Sequence, residues 1–352
     1  MKLVKTCILT RDGVEVDAFA PFVLSVSRAT DIPALYSEWF FNRLEEGYCR
    51  WRNPFNGNDC YVSFQDVRFI VFWSKNPAPL LPYLEILRER GINCYVQYTL
   101  NDYESEGLEP GVSPLHTRIR TFKTLTEELG VGCVVWRFDP LILTDKIDID
   151  NLLHKIEGIG NHLEGLTEKL VFSFADISPY RKVSNNLRNH GVNYREWREP
   201  EMLEFAKRLS AMNIRNGWNF QLATCGEKID LTQFGVHHNR CIDDVLIARI
   251  AWQDKELMNH LGLKIENIAS NLFGKTEIPE DAILLGGEQY ATRTRSNRDA
   301  GQRQFCGCIQ AKDIGAYNTC SHGCLYCYAN TSPESANLNY SRHNAHAETI
   351  IS

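Results

Sequence analysis

At 352 residues, with 43% hydrophobic and 23% charged residues, the chain has the composition of an ordinary globular protein, long enough for one large α/β domain or two smaller ones. A formal net charge of −6 excludes broad electrostatic attraction to nucleic acid and leaves room only for a local basic cleft. No apolar run approaches the roughly 18 residues of a membrane helix, and Met1-Lys2-Leu3-Val4-Lys5 opens no signal sequence, so a cytoplasmic protein is expected.

From residue 23 onward, short β-rich runs alternate with longer helical patterns. Strands are predicted at Val23–Ser27, Phe69–Trp73, Cys94–Thr99, Gly132–Phe138, Leu170–Ala175 and Trp218–Thr224. Helices are predicted near Ala34–Glu46, Pro79–Arg90, Pro114–Leu129, Ile149–His162 and Glu201–Met212. Pro79 and Pro114 suit a first helical turn, where the missing N–H costs nothing. Gly47, Gly91 and Gly130 follow three of these helices as stops. Ile70-Val71-Phe72-Trp73 and Val134-Val135-Trp136 are continuous apolar runs, as strands covered on both faces require.

Repeated β-α units without adjacent hairpins predict a parallel sheet. Six strands allow a partial (β/α)6 barrel or an open doubly wound sheet, and the pattern alone does not separate the two. The expected division is a barrel over 1–225, a helical and irregular extension over 226–300 with a helix near Asp243–Leu261, and a cysteine-rich tail over 301–352. The tail reads as a loop held by metal more than as a packed unit.

Polar residues at the C-terminal ends of parallel strands are the default site, because the connecting loops converge there. The strand ends offer Arg28, Asp31, Lys75, Arg137 and Asp139 as one ring around a pocket. Arginine and lysine suit a carboxylate or phosphate, and aspartates suit ribose hydroxyls. The alternative is structural: Asp31 and Asp139 as helix caps, and Arg–Asp pairs that brace the sheet.

Twelve cysteines are many, and Cys306, Cys308, Cys320, Cys324 and Cys327 crowd into the tail. Without an export signal, metal binding explains them better than disulfides. Cys94 and Cys133 sit in strand-like runs and read as small core residues. Cys320, Cys324 and Cys327 have C-x3-C-x2-C spacing, which lets three thiolates converge on one soft metal centre and leaves one coordination position open. Cys306-Gly307-Cys308, with Cys225 and Cys241, makes a four-cysteine set for a second metal, either zinc or an auxiliary iron–sulfur cluster. The alternative is that Cys225 and Cys241 are buried thiols.

Three weaker features complete the reading. His237-His238 reads as a solvated pair, and Arg293, Arg295, Arg298 and Arg303 read as a solvated basic loop. Gly286-Gly287-Glu288 is a short Gly-Gly-Glu run that falls well outside the barrel pattern.

The run Cys320-Ser321-His322-Gly323-Cys324-Leu325-Tyr326-Cys327-Tyr328-Ala329 resembles the cluster motif of the radical S-adenosylmethionine (radical SAM) enzymes, closest to the branch that includes spore photoproduct lyase. It is also similar to a bacterial family whose cysteine cluster is C-terminal. The resemblance implies a [4Fe-4S] cluster on Cys320, Cys324 and Cys327, with S-adenosylmethionine on the open iron and Tyr326 against its adenine. It implies one-electron cleavage to a 5′-deoxyadenosyl radical, hydrogen abstraction from a small-molecule substrate, and a reductase partner of flavodoxin or ferredoxin type. It also favours the partial barrel, in a permuted form, since the motif normally follows the first strand. Other readings are an iron–sulfur electron-transfer protein, a zinc-stabilised α/β protein, a hydrolase with a structural metal, and a DNA-lesion repair lyase. The net charge does not favour the last.

Overall fold

Each of the six predicted β-rich runs supplies a strand of one sheet. The computed structural model describes residues 4–54, 56–268 and 278–351. In it, β1 (Val23–Val26), β2 (Phe69–Ser74), β3 (Asn93–Thr99), β4 (Val134–Leu141), β5 (Lys169–Phe174) and β6 (Gln221–Thr224) are joined by β7 (Val236–His238) and β8 (Lys312–Asp313). The spatial order is β8-β1-β2-β3-β4-β5-β6-β7 and every neighbouring pair is parallel. The first six strands follow one another without reversal, so the topological switch of a doubly wound sheet is absent among the described residues. The protein is therefore a mixed α/β chain with a large parallel sheet. Its outermost strands, β7 and β8, are not paired with each other among the described residues.

Alternation along the strands divides the core in two. Leu24, Ile70, Phe72, Val96, Tyr98, Val134, Trp136, Leu170 and Phe172 face one layer, filled by Trp39, Phe40, Leu44, Phe122, Leu125, Ile156, Phe205 and Leu209 of the connecting helices. A monotonic strand order with crossovers of one hand puts all those helices on that side. Val23, Phe69, Val71, Tyr95, Val135 and Val171 face the other layer, packed on Ile242, Leu246, Ile247, Met258 and Leu261. Burial on both faces is why the strands read as unbroken apolar runs.

Local chemistry explains most boundaries. Helix Ser37–Glu46 ends at Gly47, whose φ of 83° is left-handed. Helix Leu115–Leu129 begins one residue after Pro114, which is its N-cap and not its first turn. The stretch predicted as helix near Pro79 starts as a tighter turn over Ala78–Tyr83, with Pro82 inside it, before helix Leu84–Glu89. The helix expected over Asp243–Leu261 is two, Asp244–Ala251 and Lys255–Leu261, because Asp254 accepts from Leu257 N and restarts it. Strand β6 begins at Gln221 and not at Trp218. The Trp218 ring instead fills the space beside Gly160 of helix Ile149–Leu163, where a Cβ would lie 2.6 Å from it.

Antiparallel pieces were not legible in the β-α rhythm. Lys5–Leu9, Glu15–Phe19, Asp59–Ser63 and Tyr48–Arg52 form a four-stranded sheet, with antiparallel pairs at Lys5–Leu9/Glu15–Phe19 and Tyr48–Arg52/Asp59–Ser63. Leu263–Asn267, Ile283–Leu285 and Gln289–Arg293 form a three-stranded one. Their alternation is short and interrupted by charges, so no β signal stood out. The segment expected to be a metal-held loop is packed: it supplies β8, pairing Lys312 with Leu24, and helix Pro333–Ser341. Its last turns bond back to the body through Trp39 Nε1 to Ala347 O (2.9 Å) and Arg50 N to Glu348 O (2.9 Å).

Candidate functional site

The tail crosses the C-terminal ends of β1, β2 and β3. After β1 the chain turns through Asp31, a buried carboxylate that caps helix Ile32–Leu35 by accepting from Ala34 N. Its other bonds reach the strand ends and the tail: Ser74 Oγ donates at 2.6 Å, Lys75 N at 2.7 Å, and His322 Nε2 lies at 2.8 Å. Burial alone would raise the Asp31 pKa, but His322 and these donors hold it below the usual carboxylate range. His322 is raised in turn: burial opposes its charge and the Asp31 carboxylate outweighs it. Asp31 is therefore a cap, as the structural reading had it, and also the anchor of the cysteine loop.

A second anchor lies beside it. Lys75 Nζ donates to Glu109 Oε1 (2.7 Å) and to Tyr326 Oη (2.9 Å). Tyr326 Oη also donates to Glu109 Oε1, and Asn101 Nδ2 bonds both Glu109 Oε1 (3.0 Å) and Tyr326 Oη (3.1 Å). Burial would lower the Lys75 pKa and raise that of Glu109. Their mutual attraction reverses both, so Lys75 is raised and Glu109 lowered. Main-chain bonds complete the dock: Gly111 N to His322 O (2.8 Å), Leu325 N to Leu108 O (2.9 Å), and Asn186 Nδ2 to Leu325 O (2.7 Å). A Cβ on Gly111 would lie 2.6 Å from His322 O, so only glycine allows the loop this close.

Cys320, Cys324 and Cys327 stand on that docked loop, with Cys324 buried and Cys327 N bonded to Cys324 O at 3.1 Å. Burial pushes the Cys320 thiol up to about 12 and raises Cys324 well above the ordinary thiol. Lys75 pulls Cys324 down, while Glu109 and then the neighbouring cysteines push it further up.

Arg28, Arg137 and Asp139 belong to a different place. They face the opposite layer of the sheet, with Trp73 near both guanidiniums: Arg28 Cζ lies 5.4 Å and Arg137 Cζ 5.2 Å from its ring centroid. Arg137 pairs with Asp139, which also accepts from Ser173 Oγ. The single ring of five residues is therefore two groups, Asp31 with Lys75 and Arg28 with Arg137 and Asp139. Alternation along the strands separates them, and Asn101 links them by donating to Asp139 O (3.2 Å) and accepting from Asp139 N (2.9 Å).

Cys225, Cys241, Cys306 and Cys308 meet beside the second group. Cys225 Sγ lies 3.3 Å from Cys241 Sγ. Cys308 Sγ accepts from Ile242 N at 3.4 Å, which sets it beside Cys241, and Cys306 stands two residues before it. The neighbouring Cys225 and Cys308 thiols, and then Arg137, hold Cys241 well below the ordinary thiol range against its burial; Arg137 Nη1 donates to Cys241 Sγ at 3.2 Å, and Asn239 Nδ2 donates to it at 3.3 Å. Cys94 and Cys133 are buried core thiols, as expected. Among the described residues, no three His, Cys, Asp or Glu side chains stand in a ready ion-binding arrangement.

The weaker sequence features go elsewhere. His237 and His238 are exposed on β7. Arg293 pairs with Asp244 at 2.9 Å and Arg298 bonds Cys306 O, so the basic stretch is in part internally committed. Gly286-Gly287-Glu288 forms the turn of the three-stranded sheet beside Trp252. A cleft of about 400 Å³ along Ser178, Arg181, Ser184, Asn185, Arg188 and Tyr194 includes none of the residues expected at the site. Sequence reasoning missed Glu109 and His322 as site residues, while Asn101 was read at the end of the third strand but not taken into the ring. Glu109 lies in a loop without pattern, whereas His322 stood inside the cysteine motif and was the available signal.

Residues 23–329 match the family described as Domain of unknown function (DUF1848), and the chain belongs to that family. No curated protein matches the chain. No helix among the described residues is long and apolar enough to cross a membrane.

Proposed function

We propose that the chain is a radical SAM enzyme with a permuted partial (β/α)6 barrel, in which Cys320, Cys324 and Cys327 hold a [4Fe-4S] cluster. The observation that carries this reading is the dock of the cysteine loop on the strand ends through His322–Asp31 and Tyr326–Lys75–Glu109. The donor set fits the group: three thiols on one short loop, one of them buried, beside a lysine whose positive charge offsets cluster anions. When bound, such a cluster with an open iron supplies one-electron cleavage of S-adenosylmethionine and thereby hydrogen-atom abstraction.

The chain's own residues then bind, orient and exclude. Asp31 fixes His322 and with it the loop between Cys320 and Cys324. Lys75, Glu109 and Asn101 clamp the Tyr326 hydroxyl and set the plane of a ring suited to an adenine face. The buried dock keeps water from a reactive site. The substrate class is a small molecule, and a reductase of flavodoxin or ferredoxin type supplies the electron. The acidic net charge favours this over a DNA lesion.

The test is anaerobic reconstitution followed by incubation with S-adenosylmethionine and dithionite. The expected result is about four irons on this loop and release of 5′-deoxyadenosine, lost in Cys324→Ala. Iron loading without any release, across candidate substrates, would favour an electron-transfer protein. Failure of the loop to take iron at all would sink the reading.

A further inference from the structure

We infer that Cys225, Cys241, Cys306 and Cys308 form a four-thiolate site for one divalent ion of the zinc class. Three chain segments bring them together: the end of β6, the turn before helix Asp244–Ala251, and the tail before β8. The Cys241 segment is pinned from behind, since Tyr95 Oη (2.7 Å) and Gln97 Nε2 (2.8 Å) both donate to Cys241 O. The Cys308 segment is pinned to it, by Ile309 N to Ile242 O (3.1 Å) and Ile242 N to Cys308 Sγ (3.4 Å).

Geometry selects a single ion over a cluster. With metal–sulfur bonds of about 2.3 Å, a tetrahedron of thiolates has sulfurs about 3.8 Å apart. The Cys225–Cys241 separation of 3.3 Å needs only a spread of about half an ångström to reach that, by the same bond length. An iron–sulfur cluster needs room for its own core, and touching thiols leave none.

Charge points the same way. Four thiolates around a divalent ion leave a net charge of −2, and two guanidiniums, Arg28 and Arg137, lie beside them to offset part of it, Arg137 being shared with Asp139. The N–H donors from Arg137, Asn239 and Ile242 aim at cysteine sulfurs, as second-layer donors to metal thiolates do. Loading releases the thiol protons to solvent and involves no redox change. The site ties the tail to the sheet and is independent of the cluster reading above.

Metal analysis of the full chain decides it. A Cys320→Ser/Cys324→Ser/Cys327→Ser variant separates this site from the tail loop. One zinc per chain is expected in the wild type and in that triple variant, and loss of it in Cys241→Ser and in Cys308→Ser. Cobalt(II) loading of the triple variant should give the intense visible bands of a tetrahedral thiolate site. Mercurial titration of the wild type, read with a metallochromic dye, needs no folded variant and should consume four thiols per ion released. Zinc retained in both single variants, additional iron with cluster absorption in the triple variant, or a Cys225–Cys241 disulfide in protein that takes up neither zinc nor cobalt would each overturn the inference.

Discussion

The tail loop around Tyr326 and the four-cysteine set lie at the same end of one sheet, yet they are made of opposite materials. The loop dock is a hydrogen-bonded charge network in which Asp31, Lys75, Glu109 and His322 each have a partner of opposite sign within 2.8 Å. It is satisfied almost wholly by protein groups, with Glu109 Oε2 left to the Arg118 guanidinium at 3.9 Å, because charges taken from water are stable only when paired and bonded. The cysteine set has weak donors and acceptors in mutual contact, with two guanidiniums beside it. Such a set gains little from itself and much from a cation. The first region holds the tail by polar complementarity, whereas the second has main-chain bonds such as Ile309 N to Ile242 O (3.1 Å), to which the ion inferred above would add its own hold.

The comparison can be broken most directly at Asp31. Asp31→Ala strands a buried His322 and removes three further acceptor contacts, and should cost about 3–5 kcal/mol in denaturant unfolding, with or without metal. A loss under about 1 kcal/mol would show that the network is not what fastens the loop. The next largest effect belongs to the other region. Stripping a divalent ion present at about a hundred times its dissociation constant should lower stability by about 2.7 kcal/mol. That loss should vanish in Cys241→Ser, measured by thermal unfolding before and after chelation.

A smaller effect tests charge burial apart from both regions. Burial pushes the Lys312 amine down to about 8, partly countered by Asp313, while its Nζ sits 3.0 Å from the centroid of the Trp51 ring. A folded-state pKa below the unfolded value means the fold carries a penalty for the charged amine. The penalty is complete below pH 8 and is relieved as pH rises from about 8 towards 10.5. Allowing for attraction to the ring, the wild type should gain about 1–2 kcal/mol across that window relative to Lys312→Met. Paired melting curves at pH 7.5 and pH 10 read it, and parallel slopes would refute it. The smallest effect is Asn186→Ala, which removes one donor to Leu325 O and should cost about 1 kcal/mol without changing metal content.

Much of the sheet was legible because its strands are short apolar runs punctuated by Gly and Pro. Predicted and observed bounds agree within a few residues from Val23 to Thr224. What failed had physical causes. The register of β8 is set by pairing across almost the whole chain, and two residues, Lys312 and Asp313, carry no periodicity. The helix breaks at Asp254, whose side chain accepts from Leu257 N, a local bond that the apolar periodicity around it does not show. The five strand-end residues were found, but their division into two groups was not, because the face a residue takes depends on where its strand begins.

By itself the sequence determined the alternation of strands and helices, the six core strands, and the residue types available for chemistry, since these follow from local periodicity and from thiol and carboxylate content. It also determined the order of the cysteines along the tail. Only the tertiary structure decided that the tail folds back across β1, β2 and β3, that Asp31 and Lys75 serve it while Arg28, Arg137 and Asp139 serve the other cysteine set, and that Cys225 meets Cys241, with Cys306 and Cys308 alongside. Those contacts join residues dozens to hundreds of positions apart, or turn on which face of a strand a side chain takes. No local pattern encodes them, and they form because buried charges and thiols find partners only once the sheet and its two apolar layers have closed.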